Sequence, residues 1–158
     1  MGTNSGRRRA VAATLRQAIF GLVLLALGAL AAAPAGAAER PTPAEAAAIR
    51  AVIEHQLAAF RRDDGAAAFA HAAPAIQAQF GTPERFMRMV REGYPAVYRP
   101  RQVVFQELLV HDGRWVQPLL VTSHEGQVVV ALYTMERQQD ASWRVGGVVL
   151  LATAAQGA

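Results

Sequence analysis

The 158-residue chain contains no cysteine, which excludes disulfide bonds, cysteine-ligated metal centres and thiol nucleophiles. It has no lysine either, since all 16 basic residues are arginine. A G-x-S-x-G elbow and a glycine-rich phosphate loop are both missing, and the four histidines form no H-x-x-x-H or H-x-E spacing. Neither a metal nor another cofactor is therefore expected. With no disulfide or metal to brace it, the fold has to rest on its own hydrophobic core.

One long apolar run is present, and it lies near the start. Arg7, Arg8, Arg9 and Arg16 precede or border Ala18–Ala33, 16 uncharged residues ending in small side chains, and Ala35-Gly36-Ala37 follows as an A-x-A cleavage site. This pattern predicts a secretory signal over residues 1–38. The alternative, a retained anchor, is less favoured because a bilayer span takes about 20 residues. The Arg8-Arg9 pair fits twin-arginine export poorly, so a general secretion signal is expected, with a periplasmic or secreted product and no stable membrane insertion after cleavage.

Four of the 16 arginines lie in that segment, and all 12 acidic residues lie at or beyond Glu39. The remaining chain is formally neutral, so the basic pI near 10.6 belongs to the precursor and supports no nucleic-acid partner. Residues 39–158 suffice for a single domain with one core.

Thr42-Pro43-Ala44-Glu45 is a capping box with proline at the first helical position. Ile49, Val52, Ile53, Leu57 and Phe60 then recur at helical spacing up to Arg62, where Asp63-Asp64-Gly65 stops the helix. An alanine-rich second helix over 66–73 ends at Pro74, with a further turn over Ile76–Phe80. Thr82-Pro83 opens a third helix that Gly93 ends. After Pro100 the chain turns into four valine- and leucine-rich segments, RQVVFQELLV, RWVQPLLVTS, QVVVALYTMER and SWRVGGVVLLAT, separated by HDG, HEG and QDA. These read as four antiparallel strands, with Gly146-Gly147 as a bulge or bend. The expected class is α+β, three helices packed on a curved four-stranded sheet.

That order resembles the nuclear-transport-factor-2-like superfamily of cone-shaped domains. More narrowly, IEHQLAAFRRDDGAAAFAHAAPAI, FGTPERFMRMVREGYPAVYRP and ALYTMERQQDASWRV are similar to an exported proteobacterial family, a domain of unknown function (number 4864), over about residues 45–152. The resemblance implies a fold and an export route. It implies no reaction, because the space between helices and sheet is a ligand pocket or acid–base site in some members of the superfamily and an inert core in others.

Several polar residues break the apolar patterning. Gln56 falls within about 20° of Ile49 on a wheel of 100° per residue, inside the apolar stripe. A buried amide requires a partner, either a backbone group or a ligand. Gln117 sits in the row Trp115, Leu119, Val121, and Tyr133 in the row Val129, Ala131, Met135. Facing the helices, Gln56, Gln117 and Tyr133 would line one cavity suited to a small neutral or weakly acidic molecule. In GYPAVYRP the two prolines bias Tyr94 and Arg99 toward extended backbone. Tyr98 and Arg99 are candidate ligand contacts, or Arg99 pairs with Glu107 or Glu136.

Asp63, placed where partial burial would raise its pKa, and His71 are candidate catalytic bases, with Tyr98 or Tyr133 as acid; Asp-Asp-Gly also reads as a turn and helix cap. His55 is expected to face solvent. The opposite sheet face carries Val128, Val130 and Leu132, which points to a symmetric homodimer. Three functions stay open: a small-molecule-binding or accessory domain, an isomerase- or dehydratase-like enzyme, and a structural envelope interaction module. The binding domain is preferred.

Overall fold

The computed structural model describes residues 40–153; the expected export signal (1–38) and the AAQGA tail (154–158) lie outside the described residues. Helix α1 spans Pro43–Arg61. Its capping box forms as the sequence dictates, with Thr42 Oγ1 accepting from Glu45 N at 3.2 Å and Thr42 N donating to Glu45 Oε2 at 3.0 Å. Asp63 turns the chain sharply at φ 56°. Asp64 then caps α2 (Gly65–Ala70) by accepting from Ala67 N at 3.0 Å.

Helices α3 (Pro74–Phe80), α4 (Pro83–Gly93) and α5 (Pro95–Tyr98) follow, each with proline at its first position. Among the described residues, five helical segments thus stand where three helices were expected. The Ile76–Phe80 turn is a helix of its own, and within the GYPAVYRP connector Pro95–Tyr98 form one helical turn that the sequence reading did not include. Proline is well placed at a first helical position because the N–H it lacks has no partner there anyway. Tyr94 O then accepts from Val97 N and Tyr98 N, at 3.0 and 3.1 Å. Tyr94 and Arg99, each preceding a proline, leave the helical basin as the sequence requires, at φ −134° and −141°.

An open antiparallel sheet of five strands completes the α+β fold, where four strands were expected. Strands β1 (Gln102–Phe105) and β2 (Leu109–His111) both pair with β3 (Arg114–Thr122), followed by β4 (Val128–Arg137) and β5 (Trp143–Ala152) in the order β1-β3-β4-β5. The first expected strand breaks for a reason visible in its partner. Pro118 has no N–H for the ladder, and opposite it the register slips from Phe105↔Leu119 to Leu109↔Val116. The side-chain amide of Gln117 bridges that break, donating to Gln106 O at 2.7 Å and to Pro118 O at 3.0 Å. Between β2 and β3, Asp112 (φ 50°) and Gly113 (φ 72°) form the left-handed pair of a two-residue hairpin turn.

A second irregularity falls between β4 and β5, where Thr134 pairs with Gly147 and Met135 with Val145. Gly146 is the extra residue, so the glycine pair is a bulge, as expected. A Cβ on Gly146 would lie 2.4 Å from Oε1 of the exposed Glu136 side chain, which would have to swing aside for any other residue. Beside the bulge, Val145 N donates to His71 O and Ala73 N donates to Val145 O, both at 2.9 Å. These bonds tie the α2–α3 junction to the sheet.

The helices cover the sheet face that carries Gln117, Leu119 and Val121 from β3 and Ala131, Tyr133 and Met135 from β4. Among the described residues, Tyr133, Ile49, Ile53, Leu119 and Val121 are the largest fully buried side chains. Burial of each aliphatic one stabilises the fold by about 1.5–3 kcal/mol. Among the described residues no helix is long and apolar enough to cross a membrane.

Candidate functional site

A cavity of about 370 Å³ opens between helices and sheet, near the lower end of the range for small-molecule sites. Gln56 and Phe60 of α1 and Phe86, Met89 and Val90 of α4 form one wall. The facing wall is Tyr133 together with Val145–Val148. Ile76, Gln79 and Phe80 of α3, with Tyr94 and Val97, are also part of the lining. Phe86 is the hub of the aromatic part, with ring centroids of Phe69, Phe80 and Phe60 at 5.3, 5.9 and 6.2 Å.

Tyr133 is the chemically conspicuous member of the lining. It is fully buried, and its hydroxyl has no hydrogen-bond partner among the described residues. Burial pushes its pKa well above the ordinary phenol value, so the group stays a neutral O–H donor. Gln56, also buried, commits its amide N–H to Ala68 O at 3.2 Å. It thus holds α2 against α1 while lining the cavity, and the two roles weighed for it are compatible.

The other sequence candidates lie elsewhere. Gln117 shares the sheet face with Tyr133 and pairs directly with it in register, but its amide serves the strand break and it is not part of the cavity lining. Tyr98 and Arg99 meet Asp63. The Tyr98 hydroxyl donates to Asp63 Oδ1 and Arg99 Nη2 to Oδ2, while Arg91 Nη1 stands 3.8 Å from Oδ1. The guanidinium of Arg99 also lies 5.1 Å from the Tyr98 ring centroid. Arg99 therefore pairs with Asp63, not with Glu107 or Glu136 as the sequence suggested.

The hydrogen bond from Tyr98, with the charges of Arg99 and Arg91, holds the Asp63 carboxyl below its usual range. Partial burial was expected to raise it, but Asp63 is exposed and its partners stabilise the anion. His71 is likewise outside the cavity lining. Burial, then the nearby charges of His55 and Arg144, push its pKa down, and its ring lies 5.8 Å from the exposed His55 ring. No group of three or more metal-ligating side chains occurs among the described residues.

The structure thus brings Gln56 and Tyr133 together at one cavity and gathers Asp63, Tyr98 and Arg99 at a separate surface junction. The sequence reading passed over Phe80, Phe86, Met89 and Tyr94 as cavity walls. Their helical spacing marks an apolar face but does not say whether that face is packed or hollow.

A family model described as Domain of unknown function (DUF4864) matches residues 42–158, and the chain belongs to that family. No curated protein and no solved structure matches it.

Proposed function

We propose that this member of the DUF4864 family is an exported, non-catalytic domain that binds a small molecule in the cavity between helices and sheet. The observation that carries the reading is the cavity itself, about 370 Å³ between helices and sheet with a mostly apolar lining that includes Gln56 and Tyr133. Export rests on the basic and apolar pattern of residues 1–38. The cone-shaped nuclear-transport-factor-2-like likeness is consistent with a pocket at this position.

An acid–base enzyme is the second reading. It would need a carboxylate or histidine beside a tyrosine in the cavity, and none of the lining residues is an aspartate, glutamate or histidine. Asp63 does meet Tyr98, but at the exposed junction and with its pKa held down. The ligand candidates Tyr98 and Arg99 have their polar groups engaged there, so the binding reading rests on the cavity, whose lining includes Gln56 and Tyr133.

The uncovered sheet face supports a symmetric homodimer. Val104, Leu120, Val130 and Leu151 form one cross-strand row and Pro118, Leu132 and Val149 the next. Val149 and Leu151 are 55% and 47% exposed. No charged side chain interrupts these rows, so a second copy can meet the face without burying an unpaired charge.

Native mass spectrometry of the purified protein tests the binding reading. Extra mass under gentle conditions that disappears on denaturation is the expected result. A bare chain whose mass does not respond to small apolar compounds would sink it.

A further inference from the structure

The residues that line the cavity are not equally open to what enters it. Gln56, Phe60, Phe86 and Tyr133 are buried, and the Tyr133 hydroxyl is sealed off from solvent. The side chains within reach are Ile76, Phe80, Met89, Tyr94 and Val148, all half-buried, and Gln79, which is exposed on α3. Phe80 is backed by Phe86, with ring centroids 5.9 Å apart and planes at 70°. This edge-to-face contact holds the Phe80 ring in place before anything binds.

Two rings and a thioether among the reachable groups favour an aromatic guest, because ring pairs and sulfur–ring contacts add to what burial of hydrocarbon alone provides. The lining carries no arginine, aspartate, glutamate or histidine, so an ion entering it would lose hydration and find no counter-charge. Gln56 has its N–H engaged with Ala68 O, which leaves the amide of Gln79 and the phenol of Tyr94 as the polar side-chain groups on offer, each able to donate and to accept. Resting on the pocket reading and deepening it, we infer that the cavity takes an uncharged, fused-ring aromatic compound. Its flat body lies against Phe80, Met89 and Tyr94, and a neutral hydroxyl or carbonyl on it meets Gln79 or Tyr94. The weakly acidic ligand that the sequence left open is disfavoured by this wall.

Three probes of similar size separate the terms. 2-Naphthylmethanol offers a flat aromatic body with a neutral hydroxyl, its fully hydrogenated analogue keeps the hydroxyl on a saturated body, and 2-naphthoate keeps the rings but carries a charge. Binding of each to the purified protein and to Phe80→Leu is measured by titration calorimetry at neutral pH. Phe80 is half-buried, and thermal melts confirm that the variant remains folded. The three-probe comparison in the native protein is decisive without it.

2-Naphthylmethanol is expected to bind the native protein about three- to tenfold more tightly than its saturated analogue, the scale of a favourable ring–ring contact. 2-Naphthoate is expected to bind at least about tenfold more weakly than the alcohol. In Phe80→Leu the preference for the aromatic alcohol over the saturated one should shrink toward equality. Equal binding of the two alcohols in the native protein, a preference unchanged in Phe80→Leu, or 2-naphthoate binding as tightly as the alcohol would each overturn the assignment while leaving the pocket intact. Failure of all three probes to bind the native protein would overturn both.

Discussion

The carboxylate of Asp63 is held by Tyr98 through one oxygen and by Arg99 through the other, across 35 and 36 residues of chain. These contacts join the α1–α2 turn to the end of α5, just before β1 begins. Asp63 itself stands at φ 56°, a left-handed conformation uncommon for a side chain with a Cβ. The two tyrosines of GYPAVYRP thereby divide their work. Tyr94 faces the cavity and Tyr98 faces the turn.

Asp63→Asn should lower the melting temperature, and Arg99→Ala made in that background should cost less than Arg99→Ala alone, because the two residues share one interaction. Additive losses in a thermal double-mutant cycle would show that the junction is not a coupled unit.

The same pair gives a pH signature. Because the folded-state pKa of Asp63 is depressed, its contribution is fully present above the unfolded carboxyl value of about 3.9 and is lost as pH falls through the lower folded value. The stability gap between native protein and Asp63→Asn should therefore be constant from pH 7 to about 5 and shrink below about 4. Urea titrations across that range check it; a gap that widens on acidification would contradict the assignment.

Tyr133→Phe removes a buried hydroxyl that has no partner. The ligand-free protein should be as stable as the native one or gain about 1 kcal/mol. A loss of similar size in chemical denaturation would mean that the hydroxyl is bonded in solution.

Gln117→Leu leaves Gln106 O and Pro118 O without their side-chain donor at the break opposite Pro118. Stability should fall by about 1–3 kcal/mol, while affinity for a cavity probe stays within twofold. A selective loss of binding with stability retained would instead return Gln117 to the ligand site.

On the uncovered sheet face, Leu151→Glu should convert a dimer to a monomer by placing a charge in the apolar row of Val104, Leu120 and Val130. Sedimentation velocity decides this. A native protein that is monomeric at micromolar concentration removes the dimer proposal.

Much of the fold was legible locally. The capping box at Thr42 and Glu45, the Asp64 cap, the HDG hairpin and the Gly146 bulge each depend on a few neighbouring residues whose backbone and hydrogen-bonding preferences act within one turn. The wheel also placed Gln56 inward correctly. The break of RQVVFQELLV into β1 and β2 was not legible in that segment, because its cause, Pro118, lies on the partner strand. Likewise the partner of Arg99 was sought among nearby and strand carboxylates, whereas Asp63 reaches it only after α2, α3 and α4 fold the chain back.

By itself the sequence determined the α+β class, the inward rows of β3 and β4 and the chemistry on offer, a cysteine-free and lysine-free chain with few polar groups among its apolar faces. Periodicity reports which way a side chain points, since that depends on the residue's own backbone. Only the tertiary structure decided that Gln117 is spent on a strand break, that Asp63, Tyr98 and Arg99 meet at the surface, that a hollow remains between helices and sheet, and that the buried Tyr133 hydroxyl is left unbonded among the described residues. A cavity and a long-range hydrogen bond are properties of distances between distant segments, and no local pattern encodes them.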